Sequence, residues 1–339
     1  MSKLFPKSWL TGPSPSREDV LWCYRELLER EPESEEAVRS HLTNKSFRQL
    51  VEVITSSAEY RQKRAVAAAA AAAAAERASH CHFHSLMAAP TSVDIDVTPS
   101  ELKACLEKVK YAWEHLGSEK PHFSVLTESR FLPDQIDNSL MQFMQTGESE
   151  VQELEKILER HGLRDLSQLT CVEFGCGVGR LTHGLVKRFA TVHGYDISRQ
   201  HLELAEKSIK GSGNGHLHLV PAGVLPALAA CDVYYSRIVL QHNPPPIIAE
   251  LLRMAFAALN PGGIAVFQLP TYRVGYRFNL SEWLAQMNMK DMEMHCLPQW
   301  AVFDLIEAAG CSVLEVREDN ATGAPELFLS NTFVLRKKA

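Results

Sequence analysis

The run from Thr170 to Thr182, TCVEFGCGVGRLT, limits what this chain can fold into more than any other stretch. A short apolar strand, Cys171 to Phe174, leads into Gly175, Gly177 and Gly179 on alternate positions, and the apolar-periodic segment RLTHGLVKRFA follows. This is the pattern of first strand, tight loop and helix start at a nucleotide-type cofactor site. Glycine lets the backbone turn sharply and lets a ligand approach where a Cβ would collide. A helix beginning near Gly179 would aim free N–H groups and the positive end of its dipole into the loop. The dinucleotide fingerprint Gly-x-Gly-x-x-Gly would need glycine at position 180, which is Arg180 here.

The pattern Glu173-x-Gly175-x-Gly177-x-Gly179 instead resembles motif I of the class I S-adenosylmethionine-dependent methyltransferases, and the resemblance continues in order. A second strand, TVHGYD, ends on Asp196, 23 positions after Glu173 and close to the interval at which a carboxylate reaches ribose hydroxyls. Ile197 offers an apolar face to adenine, and Ser198 is placed to cap the following helix. HLHLV (216–220), DVYYS (232–236) and LNPGGIAVFQLP (259–270) read as strands three to five; CSVLEVRED and ELFLSNTFVLRKK read as six and seven. The resemblance implies an α/β fold, a Rossmann-like seven-stranded mostly parallel sheet preceded by a small all-α domain, with the final hairpin giving one antiparallel edge. It implies S-adenosyl-L-methionine as cofactor, held by Glu173, Gly175, Cys176, Gly177, Gly179, Asp196, Ile197, Gly223 and Ile238. Glu173 would take the cofactor's amino group, directly or through water, or brace the loop through backbone N–H groups. PAGVLP after strand three lacks the Asp that meets adenine in many relatives, which leaves that contact to backbone.

In open α/β sheets ligands bind beyond the carboxyl ends of the strands, which points to the turn SRIVLQHNPPP for catalysis. Methyl transfer from a sulfonium is an in-line displacement accelerated mainly by alignment. An alcohol acceptor must still lose a proton, and His242, with a reference pKa near 6.5, is the general base by position, a loop-holding histidine being the alternative. Ubiquinone-type O-methyltransferases carry Glu-x-x-Glu-His here and use a divalent metal; Ile238-x-x-Gln241-His242 lacks both carboxylates, so no metal is expected. Asn243-Pro244-Pro245 is similar to the Asn-Pro-Pro-aromatic motif of nucleobase methyltransferases, but Pro246 offers no ring to stack on a base. Gln241, Gln268, Tyr272, Glu293 and His295 are the acceptor-side candidates.

A net charge of −6 over 339 residues, with no basic block beyond RQKR at 61–64, argues against a nucleic-acid partner. Eight scattered cysteines without a Cys-x-x-Cys pair read as reduced thiols, and no apolar run is long enough to span a bilayer, so a cytoplasmic protein without a membrane partner is expected. The expected organisation is an N-terminal helical domain (1–64), an alanine-rich helical spacer (65–98), a helical pre-core or lid segment (99–168) and a methyltransferase core (169–339). The lid segment reads as a helix capped at Thr98 or Ser100, an extended connector PHFSVLTESRF, and a helix interrupted at Thr146-Gly147. YRELLEREP (24–32) and SAEYR (57–61) resemble a small bacterial helical module that accompanies glycosyltransferases and surface-polysaccharide proteins. That resemblance implies a bacterial source, a glycan precursor among small-molecule acceptors, and a protein partner for the helical domain. His80, His82 and His84 with Cys81 suggest metal only weakly, since ligands at i and i+2 do not close a tetrahedron unaided. The function expected is O-methylation of a polar small molecule or glycan precursor. A cofactor-binding scaffold without turnover and an oxidoreductase are the alternatives, the second disfavoured by Arg180.

Overall fold

The structure, a computed structural model, describes residues 14–66, 91–287 and 292–338. The chain divides into two compact units, Met1–His82 and Phe83–Ala339. The alanine run and the His80–His84 cluster lie outside the described residues.

In the first unit three helices, α1 (Arg17–Leu28), α2 (Glu35–His41) and α3 (Phe47–Thr55), start on Ser16, Ser34 and Ser46, whose hydroxyls accept backbone N–H bonds. Ser16 and Asp19 form the full capping box. Val20, Cys23, Tyr24 and Leu28 recur at helical spacing and bury against Val38, Leu50 and Ile54, while Leu27 packs at the margin. Residues 58–66 are helical too, and Arg30 reaches them with a two-pronged bond to Glu59 at 2.7 and 2.8 Å.

The second unit is a seven-stranded sheet. Its strands are β2 (Thr170–Phe174), β3 (Thr191–Asp196), β4 (Gly215–Leu219), β5 (Cys231–Ser236), β6 (Leu259–Arg273), β8 (Cys311–Asp319) and β9 (Phe328–Lys337), in the order β4-β3-β2-β5-β6-β9-β8. β9 alone runs antiparallel, bonded to both β6 and β8. The last hairpin therefore does not supply an antiparallel edge as expected: β9 fills the gap between β6 and β8, and β4 and β8 are the edges. Side chains alternate between two cores. Val172, Tyr234, Ala265 and Phe267 face one, with α4 (Pro99–Glu119) and the largely apolar α8 (Pro245–Ala258); Cys171, Val233, Tyr235, Ile264 and Val266 face the other, with α5 (Ile136–Arg160). Burial on both faces explains why these strands read as nearly continuous apolar runs.

Four local expectations are corrected. The helix expected from Gly179 is reduced to one turn, α6 (Thr182–Leu185), because bonds of i→i−3 and i→i−4 type alternate from 179 to 189 and Arg188 donates to the Gly184 carbonyl. The connector 121–131 is coiled, not extended: Ser124 and Leu126 donate back to Lys120 and His122, which folds Phe131 edge-on to Phe143 at 5.0 Å. The run RVGYRFNLSEWLAQMNMKDMEMHCLP (273–298), which reads in sequence as irregular, is not wholly so, since β7 (Arg277–Phe278) pairs with β1 (Ser92–Val93) and α9 (Leu280–Ala285) follows, capped by Asn279; α7 (Arg199–Ser208) and α10 (Gln299–Ala308) complete the unit. Finally, α5 runs unbroken through Thr146 and Gly147. Gly147 is there for contact: a Cβ would sit 2.1 Å from the Arg180 carbonyl oxygen. Gly147→Ala is therefore expected to destabilise the protein by about 3 kcal/mol, forcing α5 off the loop, which thermal melting would read as a drop of several degrees. An unchanged melting temperature would mean that α5 slides freely. Among the described residues no helix is long and apolar enough to cross a membrane.

Candidate active site

The carboxyl ends of β2, β3 and β5 open into one cavity, and the glycine loop forms its floor. The loop is fixed to β3 by three bonds. Gly175 N and Cys176 N donate to the Tyr195 carbonyl at 2.8 and 3.0 Å, and Gly177 N donates to Asp196 Oδ2 at 2.8 Å. Gly175 and Gly177 adopt φ of +77° and +54°, which side-chain-bearing residues avoid. Asp196, 8 % exposed, accepts a second backbone bond at Oδ1 from Ser198 N (2.8 Å), so it organises the loop and the start of α7 while facing the cavity. His201 stands behind it, Nδ1 3.5 Å from Oδ1 and Nε2 2.9 Å from Ser124 Oγ, which ties the 121–124 turn to the aspartate.

Glu173, next to last in β2, is almost wholly buried. Its Oε2 accepts the Thr182 hydroxyl at 2.7 Å, so the expected bracing through backbone N–H groups is replaced by a side-chain contact. Burial pushes its carboxyl up to about 8, only partly opposed by Thr182 and the Arg180 charge. Arg180, 3 % exposed, donates to Glu150 Oε1 at 2.8 Å and to Thr146 Oγ1 at 3.2 Å, while its Nε has no partner. Glu150 lies between two guanidiniums, since Arg237 Nε is 2.8 Å from its other oxygen.

Of the residues expected to hold a cofactor, Glu173, Gly175, Cys176, Gly177, Asp196, Ile197 and Ile238 line the cavity. Gly179 is turned away: a Cβ there would meet Ser208 Oγ at 2.2 Å, so this glycine packs the loop onto α7. Gly223 stands off the wall against Lys103 and Glu107 of α4. Where the adenine-side Asp is missing, Val220, Leu225 and Pro226 supply an apolar wall. Ile238 has φ +58°, a strained state for a β-branched residue, and its N–H is held by Gln268 Oε1 at 3.0 Å.

The other candidates gather elsewhere. His242 lies in a separate small cavity with Trp113, Trp283 and Glu293. Its Nδ1–H donates to the Glu293 carbonyl (2.9 Å), its Nε2 accepts from the Gln241 amide (3.2 Å), and burial brings its pKa down to about 4. Gln268 donates to Gln241 Oε1 (3.0 Å) and Ser330 Oγ (2.7 Å), so both glutamines are structural links here. Glu293 accepts from Trp283 Nε1 (2.8 Å) and His295 Nε2 (3.1 Å), and Tyr276 completes this cluster by its bond to His295 Nδ1 (2.8 Å). Tyr272, half-buried on β6, joins none of these contacts. Sequence reasoning missed Glu150, Ser124, His201 and Trp113, took Arg237 only as part of the turn SRIVLQHNPPP, and noticed Arg180 only as the absence of a glycine. Among the described residues no group of three or more His, Cys, Asp or Glu is gathered as a metal site.

A family model described as a methyltransferase domain matches residues 145–316, just over half of the chain. Solved structures with similar folds include the N-methyltransferase NodS from Bradyrhizobium japonicum WM9 (13 % identity, covering 69 % of this chain and 100 % of that one, TM-score 0.46). Another is the 1,6-didemethyltoxoflavin-N1-methyltransferase from Burkholderia thailandensis (16 %, 74 % and 95 %, TM-score 0.46). A third is magnesium protoporphyrin IX methyltransferase from Synechocystis PCC 6803 (15 %, 59 % and 87 %, TM-score 0.43). A search of curated proteins finds no significant match. With the family's domain spanning more than half of its residues, and with the seven-strand sheet of the class I enzymes, the chain belongs to the methyltransferase domain family.

Proposed function

We propose that this protein transfers a methyl group from S-adenosyl-L-methionine to a hydroxyl of a polar small molecule. The observation that carries the reading is Asp196, held by Gly177 N and Ser198 N so that its carboxylate faces a cavity with an apolar wall, the arrangement a ribose and an adenine require. The cofactor's methionine end fits the opposite side. The buried Arg180, whose Nε has no partner, receives the carboxylate, and Glu173 receives the ammonium. When bound, the cofactor supplies an electrophilic methyl on a sulfonium: the S–C bond breaks as the O–C bond forms, and the electron pair stays on sulfur.

His242, the base suggested by position, enters this reading as an anchor. Both ring nitrogens are engaged, and a pKa of about 4 leaves little affinity for a proton. The acceptor's proton passes to solvent instead. The same observation supports a second reading, a scaffold that binds the cofactor without turnover; incorporation of labelled methyl into any acceptor pool would exclude it. The glycan-precursor acceptor, the protein partner and the bacterial source rest on the resemblance of the N-terminal helices alone. A cytoplasmic site agrees with the described cysteines, which are free and buried.

Calorimetric titration with S-adenosylhomocysteine tests the reading. One saturable site is expected, and a folded sample that takes up no ligand would sink it.

A further inference from the structure

Beside the main cavity lies a second cleft of about 310 Å³, floored by β5 and β6 and walled by α5 and β8. Among the described residues, Arg237 is the one that lines both spaces. Its side chain is three-quarters buried, and its charge is met by Glu150 at 2.8 Å without the alignment of a hydrogen bond. None of the hydrogen bonds among the described residues uses its terminal amino groups. A guanidinium is always charged and presents its donors as a planar fork that matches an oxyanion. Of its donors only Nε is buried without a hydrogen bond, so the terminal amino groups stay accessible to a ligand.

The cleft holds charges of both signs. One carboxylate, Glu150, is shared by Arg180 and Arg237, and the charges of Asp319 and Glu153 also act on Arg237. Asp319, also in the cleft, is occupied by the Thr332 hydroxyl (2.7 Å) and Ala321 N (2.9 Å). At the exposed rim stand Glu153, Glu318 and Lys156, while Arg160 and Arg317 are paired with Glu315. The cofactor of the reading above brings one carboxylate of its own. Its carboxylate is taken by Arg180, which lines the main cavity only. The small cavity beside His242, at about 20 Å³, has room for little more than one water, so it admits no acceptor.

We propose that the acceptor enters through this cleft and is a small molecule bearing a carboxylate, which the terminal amino groups of Arg237 grip. The inference rests on the cofactor reading. It makes Arg237 a specificity residue: an acid is held with its methyl-receiving atom at the mouth of the main cavity, and the corresponding amide is not.

The test uses the full chain saturated with S-adenosylhomocysteine and a panel of small aromatic and aliphatic carboxylic acids, each with its matched amide, plus phenyl phosphate. Binding is followed by ligand-observed NMR. At least one acid should bind at least ~10-fold more tightly than its amide. Arg237→Gln should remove that preference in the saturated protein, and Arg237→Lys should restore part of it. Melting curves identify any variant that fails to fold, in which case the acid-to-amide ratio of the unaltered protein decides. Equal binding of acids and amides, tighter binding of phenyl phosphate than of every acid, or an Arg237→Gln variant that loses the homocysteine ligand and keeps the acid would each overturn the proposal. Failure of the unaltered protein to bind S-adenosylhomocysteine would instead strike the cofactor reading, and acid against amide in the free protein would still report on Arg237.

Discussion

Asp196→Ala lowers the affinity for S-adenosylhomocysteine by about a hundredfold or more, the largest loss expected from any single side chain in the cavity. The magnitude follows from what the carboxylate does twice over. It accepts backbone N–H bonds from Gly177 and Ser198, both at 2.8 Å, and hydrogen bonds to a charged acceptor contribute about 1.5–3 kcal/mol each. Alanine leaves both N–H groups without a partner, frees the glycine loop and removes the acceptor for ribose hydroxyls. Roughly 3 kcal/mol or more of binding is lost, or about two decades in Kd. Asp196→Asn keeps one carbonyl acceptor and should fall between. Calorimetry gives the values directly, and an alanine variant that binds like the unaltered protein would remove Asp196 from the site.

Glu173 makes binding depend on pH. In the free protein burial holds its carboxyl at about 8, so it is mostly neutral at pH 7. A cofactor ammonium favours the ionised form, so binding expels a proton. Affinity for S-adenosylmethionine should therefore rise with pH from about 6 to 8, by up to tenfold per unit, and level off above that. Glu173→Gln should flatten the profile. The stability sign is the reverse. A raised folded-state pKa gives a contribution that is whole below about 4.5 and is lost as pH rises through about 8, because the unfolded chain ionises this carboxyl while the native state holds it protonated. The glutamine variant should thus gain stability relative to the unaltered protein across that window, by an amount on the order of a few kcal/mol at its upper end. Titrations in buffers of different ionisation enthalpy would count the released proton, and a count of zero at pH 7 would place the ammonium elsewhere.

The sheet was legible because each strand carries its own signal. Tyr234 and Phe267 face one core and Tyr235 and Val266 the other, and a strand buried on both sides cannot be written in any but apolar residues. The glycine loop and Asp196 were legible for a related reason: the backbone needs glycine where φ is positive, and the carboxylate follows at a fixed distance along one βαβ unit. What stayed hidden lies between distant elements. Gly147 reads as a helix break until Arg180 is seen pressed against it. Arg180, Glu150 and Arg237 come from a turn, a helix and a strand end, and no local pattern joins them. His242 drew attention by its place in a motif, whereas its two hydrogen-bond partners, one of them 51 residues away, could be found only in the fold.

The placement of β9 between β6 and β8 sets an order of assembly. As the chain leaves the ribosome, β6 and β8 are both made before the strand that will join them, so each waits with an open edge. Five parallel strands can condense early, but the sixth has no neighbour until β9 threads into the gap. Unpaired edges of this kind recruit strands from other chains. The interval between synthesis of β8 and docking of β9 is thus when this protein is most exposed to aggregation, and where a holding chaperone would have most effect.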